Sequence, residues 1–138
     1  MYLFDTDVLS ALAKKNRPEG LMKRLAATPV AAQFTSAITA AEIYHGLYRL
    51  REGDGLGARL LKFFEGQVFP RLTILPFDHA DAKTYGRIRA ALERRGRPRF
   101  EADLQIAAIA LTRRLTVVTG NVRHFDGIPG LKVENWLA

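Results

Sequence analysis

The chain has 138 residues, no cysteine, and 21 lysines and arginines against 14 aspartates and glutamates, for a net charge of +7. Without cysteine there is neither a disulfide scaffold nor thiolate-bound zinc, and the length suits one domain, residues 1–138, with a sizeable core. The positive excess favours a polyanionic partner, nucleic acid or an acidic protein segment, although solubility alone would also account for it.

Tyr2–Phe4 reads as a first strand that runs straight into Asp5, Thr6 and Asp7. Two acids there argue against a secretory leader, which needs a basic and then an apolar stretch. The longest uncharged stretch, Leu25–Ala41, is broken by Pro29, Gln33, Thr35 and Ser36 and does not read as a membrane span. A cytoplasmic location is the expectation. Asp7–Lys14 reads as a short helix with Leu9, Leu12 and Ala13 on one face, Glu19–Ala27 as a second helix entered through Pro18, and Gln33–Ser36 as a second strand. Thr39–Arg51 is a helix with Ile43, Leu47 and Leu50 at core spacing; Gly53, Asp54 and Gly55 break it, and a further helix runs to about Gly66. Arg51–Gly57 is the best candidate for a flexible loop.

Leu72–Leu75 reads as a third strand, and Asp78–Arg94 as a long helix with Ala82, Tyr85, Ile88 and Leu92 in one stripe. Glu101–Arg113 is apolar nearly all round, which predicts a central, buried helix. Thr116–Thr119 is a fourth strand and Lys132–Glu134 a fifth. Short apolar runs alternating with amphipathic helices predict an α/β sandwich on a parallel sheet.

In such a sheet, sites form beyond the carboxyl ends of the strands. Asp5 and Asp7 follow the first strand; Thr119, Gly120 and Asn121 follow the fourth; Glu42 and Asp103 fall in the first turns of their helices. If the fourth strand neighbours the first, these groups converge. Each acid has an ordinary explanation as well. Thr39 to Glu42 matches a capping box, Glu101 and Asp103 suit a helix N-terminus, and Asp5 or Asp7 could cap the first helix. Asp5 is the hardest to dismiss, because a charge abutting a buried strand is costly unless paired. Several carboxylates with little histidine nearby form an oxygen-rich set that suits Mg²⁺ or Mn²⁺. Two divalent ions held by carboxylates are one device for in-line displacement at phosphorus.

The segments LFDTDVLSAL, TSAITAAEIYHGL, LPFDHADAKTYGRIRAALERRGR and ADLQIAAIALTRRLTVVTGNVRHFDGIPGLKVENW, in this order and at these separations, resemble the PIN-domain ribonucleases, and within them the VapC-type toxins of type II toxin–antitoxin (VapBC) systems. The TGNVRHF segment also resembles a trafficking-linked, FitB-like branch. The resemblance covers nearly the whole chain. It implies a PIN-like three-layer α/β/α sandwich around a mostly parallel sheet of four to five strands. It implies a Mg²⁺- or Mn²⁺-dependent endoribonuclease that hydrolyses RNA phosphodiester bonds with metal-activated water, leaving 5′-phosphate and 3′-hydroxyl ends.

Residue by residue, the family's acids fall on Asp5 and Asp103 as direct metal ligands and on Glu42, which completes the coordination or orients the attacking water. Asn121 occupies the place of a fourth acid, so a carboxamide replaces a charge. Thr6 and Thr119 support the ligands, Asp7 caps the following helix, and Asp126 is not expected to reach in. Arg94, Arg95, Arg97 and Arg99 are candidates for holding RNA, or form a solvated loop. His45, His79 and His124 receive no role.

The resemblance further implies a cognate VapB-type antitoxin, docked in a groove formed by Asp7–Lys14 and Thr39–Gly66. It implies a homodimer, a higher toxin–antitoxin assembly, and contact with DNA only through the antitoxin. Phe63 and Phe64 would serve an interface or the core. Two alternatives stand beside this reading. One is a non-catalytic RNA-binding or antitoxin-bound repressor subunit. The other is a haloacid-dehalogenase-like phosphatase, whose opening Asp5–Leu9 resembles but whose later motifs the chain lacks.

Overall fold

The computed structural model describes residues 1–50 and 52–138. Strand β1 (Tyr2–Phe4) is the centre of a five-stranded sheet, with β2 (Gln33–Ser36) and β3 (Thr73–Leu75) on one side and β4 (Thr116–Val118) and β5 (Val133–Glu134) on the other, in the order β3-β2-β1-β4-β5. Every adjacent pair is parallel. The registers Phe4↔Thr35 and Phe4↔Val118 bring the carboxyl ends of β1, β2 and β4 level. The residues that follow those three strands therefore meet at one edge.

Side chains along a strand alternate between faces, and the short strands use both. Leu3 and Val117 enter a core on one face of the sheet, with α5 (His79–Arg94) and α6 (Glu101–Arg113). Phe4 and Val118 enter a second core on the other face, with α1 (Thr6–Leu12), α2 (Glu19–Ala27), α3 (Ala37–Tyr48) and the Phe64–Phe69 segment. The result is the expected α/β/α sandwich. Helix α6 is the central helix its composition predicts: Leu104 and the run Ile106–Ala110 are all buried.

Three expectations need correction. The helix expected from Thr39 begins at Ala37, because Ser36 is its N-cap and accepts the Thr39 N–H on its hydroxyl at 3.0 Å. Thr39 and Glu42 therefore form no capping box, and Glu42 lies in the second turn. Asp7 does not cap α1; Asp5 does, accepting the Thr6 N–H at 2.8 Å. The helix expected to reach Gly66 is α4 (Leu56–Phe63), entered through Gly55 in the left-handed region at φ +72°, and it ends in a π-helical turn, Phe64–Val68. That turn lets Phe64, Val68 and Phe69 all face the core; Phe64 is thus a core residue, while Phe63 is half-buried. Arg51, where the expected helix ends and the expected loop begins, lies outside the described residues. Among the described residues no helix is long and apolar enough to cross a membrane.

Candidate active site

A cleft of about 640 Å³ opens beyond the carboxyl end of β1 and is lined by Asp5, Asp7, Glu42, Asp103 and Asn121. Each acid arrives on a different support. Asp5 is the last residue before α1 and is only 6 % exposed. It is held between two donors: the Thr6 N–H and the Thr119 hydroxyl, which donates to its Oδ2 at 2.9 Å. Thr119 is fully buried at the end of β4 and also accepts the Asn121 N–H at 3.0 Å. One buried hydroxyl thus ties β1 to the chain after β4.

Asp7 does different work from the expected one. Its carboxylate accepts the Gly120 N–H at 2.7 Å and faces the Thr119 hydroxyl at 3.4 Å. A Cβ on Gly120 would stand 2.7 Å from Asp7 Oδ2 and 2.8 Å from Leu137 Cδ1, so only glycine permits this approach. Glu42 turns from α3 toward the start of α1 and accepts the Thr6 hydroxyl at 2.6 Å. Thr6 therefore binds two of the acids, Asp5 through its amide and Glu42 through its side chain.

Asp103 comes from the first turn of α6. His124, on the short helical turn Val122–Phe125, brings Nδ1 to 3.2 Å from Asp103 Oδ2. The approach does not meet hydrogen-bond geometry, and that buried oxygen is left without a donor. Burial pushes the Asp5 carboxyl up to about 6, against the two hydrogen bonds it accepts, with Asp7 and Asp103 adding to the rise. The Asp103 carboxyl is also raised, first by burial, with the Glu42 and Asp7 charges adding and His124 opposing. Among the described residues Asp5, Asp7 and Glu42 have no ion-pair partner.

A buried carboxylate with no cation, and a second with an orphaned oxygen, are what a hard divalent ion would satisfy. The all-oxygen donor set fits Mg²⁺ or Mn²⁺. Among the described residues no three histidine, aspartate or glutamate side chains are already drawn tightly enough together to hold an ion, so binding would require the carboxylates to close inward.

Asn121 lines the cleft and is exposed. Asp126 lies outside it, 3.4 Å from Arg97. The four arginines do not line it either. Arg94 and Arg95 are exposed at the end of α5, and Arg99 donates to the backbone carbonyls of Arg97, Pro98 and Asp126. Sequence reasoning missed His124, Phe100, Ser10 and Lys14, which all line the cleft. Ser10 and Lys14 were within reach of it: they follow Asp7 at i+3 and i+7, the spacing of one helix face. His124 was not, because only the chain reversal after β4 turns it toward α6.

The PIN domain family model matches residues 2–131. A VapC of Shigella flexneri, described as a tRNA(fMet)-specific endonuclease, is 33 % identical over 98 % of this chain and 97 % of its own length. Among solved structures, FitAcB from Neisseria gonorrhoeae superposes with a TM-score of 0.90 at 31 % identity, covering 99 % of this chain and 98 % of that one. DNA-bound VapBC from Salmonella typhimurium gives 0.84 at 34 % identity, covering 98 % and 97 %. A match across nearly the whole length, with the acids of the motif gathered in one cleft, places this chain in the PIN-domain family, among its VapC-type ribonucleases.

Proposed function

We propose that this protein is the ribonuclease toxin of a VapBC-type toxin–antitoxin pair, an endoribonuclease that uses Mg²⁺ or Mn²⁺ in the Asp5 cleft. The observation that carries the reading is the buried Asp5 carboxylate, converging with Asp7, Glu42 and Asp103 and lacking a cation. Asp5, Asp103 and Glu42 would hold the ion. When bound, it supplies the Lewis acidity that makes water a nucleophile near neutral pH and takes up charge at the transferring phosphoryl group.

The chain's own residues do the positioning. Thr119 and the Thr6 amide fix the Asp5 carboxylate from two sides. The Thr6 hydroxyl holds Glu42 toward the cleft, where its free oxygen can orient the attacking water. Asn121 contributes a neutral amide at the rim, so this cleft carries one charge fewer than a site with a fourth acid there.

A second cleft, of about 320 Å³, has a mixed lining with an apolar majority, Val8, Leu12, Met22, Leu25, Phe63 and Val68 among it, and contains none of these acids. It supports the antitoxin reading with one change: α2 supplies the wall expected from α3. Arg17 and Arg71 in its lining suit an amphipathic segment that also carries acidic residues. A homodimer, a higher toxin–antitoxin assembly, DNA contact through the antitoxin and a cytoplasmic setting belong to the same reading.

The test is cleavage of mixed RNA, transfer RNA included, by antitoxin-free protein with Mg²⁺, with Mn²⁺ and with chelator, beside a folded Asp5→Asn variant. Metal-dependent fragments that the variant does not produce are expected. Absence of both cleavage and metal binding in folded wild type would refute the enzyme and return the protein to the RNA-binding or repressor alternative.

A further inference from the structure

Phe100 is out of place as a structural residue. At 71 % exposure it is the most exposed large hydrophobic side chain among the described residues. It also occupies the N-cap of α6, where serine, threonine, aspartate or asparagine would satisfy a free amide, and it makes no side-chain cap. The position thus forgoes both burial and capping. Its ring instead stands at the acid cleft, three residues before Asp103, with its centroid 5.7 Å from that of His124 at an interplanar angle of 59°. Lys14, from beyond α1, lines the same cleft, and the exposed Arg94 and Arg95 precede Phe100 in the chain, outside the lining.

Proteins that bind single-stranded nucleic acid combine a cationic track for the backbone with an aromatic face on which a base stacks. We infer that Phe100 is such a face, stacking an unpaired nucleobase of the RNA strand next to the phosphate that enters the cleft, with His124 bracing the ring. This rests on the nuclease reading of the cleft and deepens it. A paired base is already stacked and cannot be offered to the ring, so the platform selects single-stranded segments. Stacking tolerates any base, so it contributes strand selectivity more than sequence selectivity.

The test has two arms, both on the full chain. In the first, wild type, Phe100→Ala, Phe100→Leu and Phe100→Trp are compared on a single-stranded RNA cut by wild type. Loss of the ring raises KM about tenfold in the Ala and Leu variants, and the Trp variant stays near wild type, with kcat largely kept. Unchanged KM in Ala and Leu overturns it. So does a loss of antitoxin binding without any change in cleavage, which would make the ring a protein contact. In the second arm, Phe100→Trp in an Asp5→Asn background is titrated with a short oligoadenylate. Stacking quenches the added indole, whereas the native Trp136, 3 % exposed, provides the blank. No quenching overturns the platform. Quenching with no cleavage by wild type on any RNA supports the platform and removes the nuclease reading instead, so the two failures are distinguishable.

Discussion

Two pairs of aspartates begin two helices of this protein, and they are treated in opposite ways. Asp78 and Asp81 open α5 with a reciprocal capping box, each side chain accepting the other's backbone N–H at 2.9–3.0 Å. Arg113 of α6 then bridges them, at 2.7 Å to Asp81 and 3.3 Å to Asp78. Asp81 is fully buried and fully compensated, and its amide and Arg113 hold the Asp78 carboxyl below the usual range. Asp5 and Asp7 open α1 with hydroxyls and amides alone. Asp5, nearly as buried, is driven up in pKa. Burial is therefore not what distinguishes the two pairs. A cation from the protein itself accompanies one pair and not the other, and the pair without one is the pair we propose for an ion from solution.

The comparison breaks first at Asp81. Replacing it with alanine takes from Arg113 the buried one of its two partners, leaves it Asp78 alone, opens the capping box, and should cost about 3 kcal/mol of stability, read as a lowered denaturant midpoint. The cleft's metal affinity, measured at a temperature where the variant is folded, should stay unchanged. Equal losses of stability and metal affinity would show that the two clusters are not independent.

At Asp5 the sign reverses. In the folded chain the group keeps its proton up to about pH 6, against an ordinary value of 3.8. Between those values the folded state binds the extra proton, so this group's contribution falls as pH rises through that window and levels off above it. The total is about 3 kcal/mol. With chelator present, Asp5→Asn should therefore be more stable than wild type at pH 7, and the gap should close on titration to pH 4. A variant less stable than wild type at pH 7 would refute it.

Metal should restore what burial costs. Saturating Mn²⁺ or Mg²⁺, at about a hundred times its Kd, should stabilise wild type by about 2.7 kcal/mol, and Asp103→Asn should remove most of that gain. Thermal melts with and without chelator measure it. The smallest expected effect is at Asn121. Asn121→Asp adds a charge at the rim and should tighten metal binding by up to about tenfold, or 1.4 kcal/mol; calorimetric titration would show it, and a weakened Kd would mean that the amide was already bonded inward.

Much of this is legible in the sequence. The strands and the apolar helix were readable because each is a local pattern: a short β-rich run, or a stretch with no polar face. Element ends were less readable where two residues could cap one helix. Ser36 and Thr39 are both good N-caps, as are Asp5 and Asp7, and the neighbouring strand chose between them. The sequence by itself determined that acids would follow β1 and precede β4, that no thiolate could bind metal, and that the surface would be basic. The tertiary structure alone decided that Asp7 would serve the Gly120 amide, that His124 would meet Asp103, and that Phe100 would be left at the mouth of the cleft. The first is set by the parallel pairing of β1 with β4 and the other two by the chain reversal after β4, and no local pattern of residues encodes them.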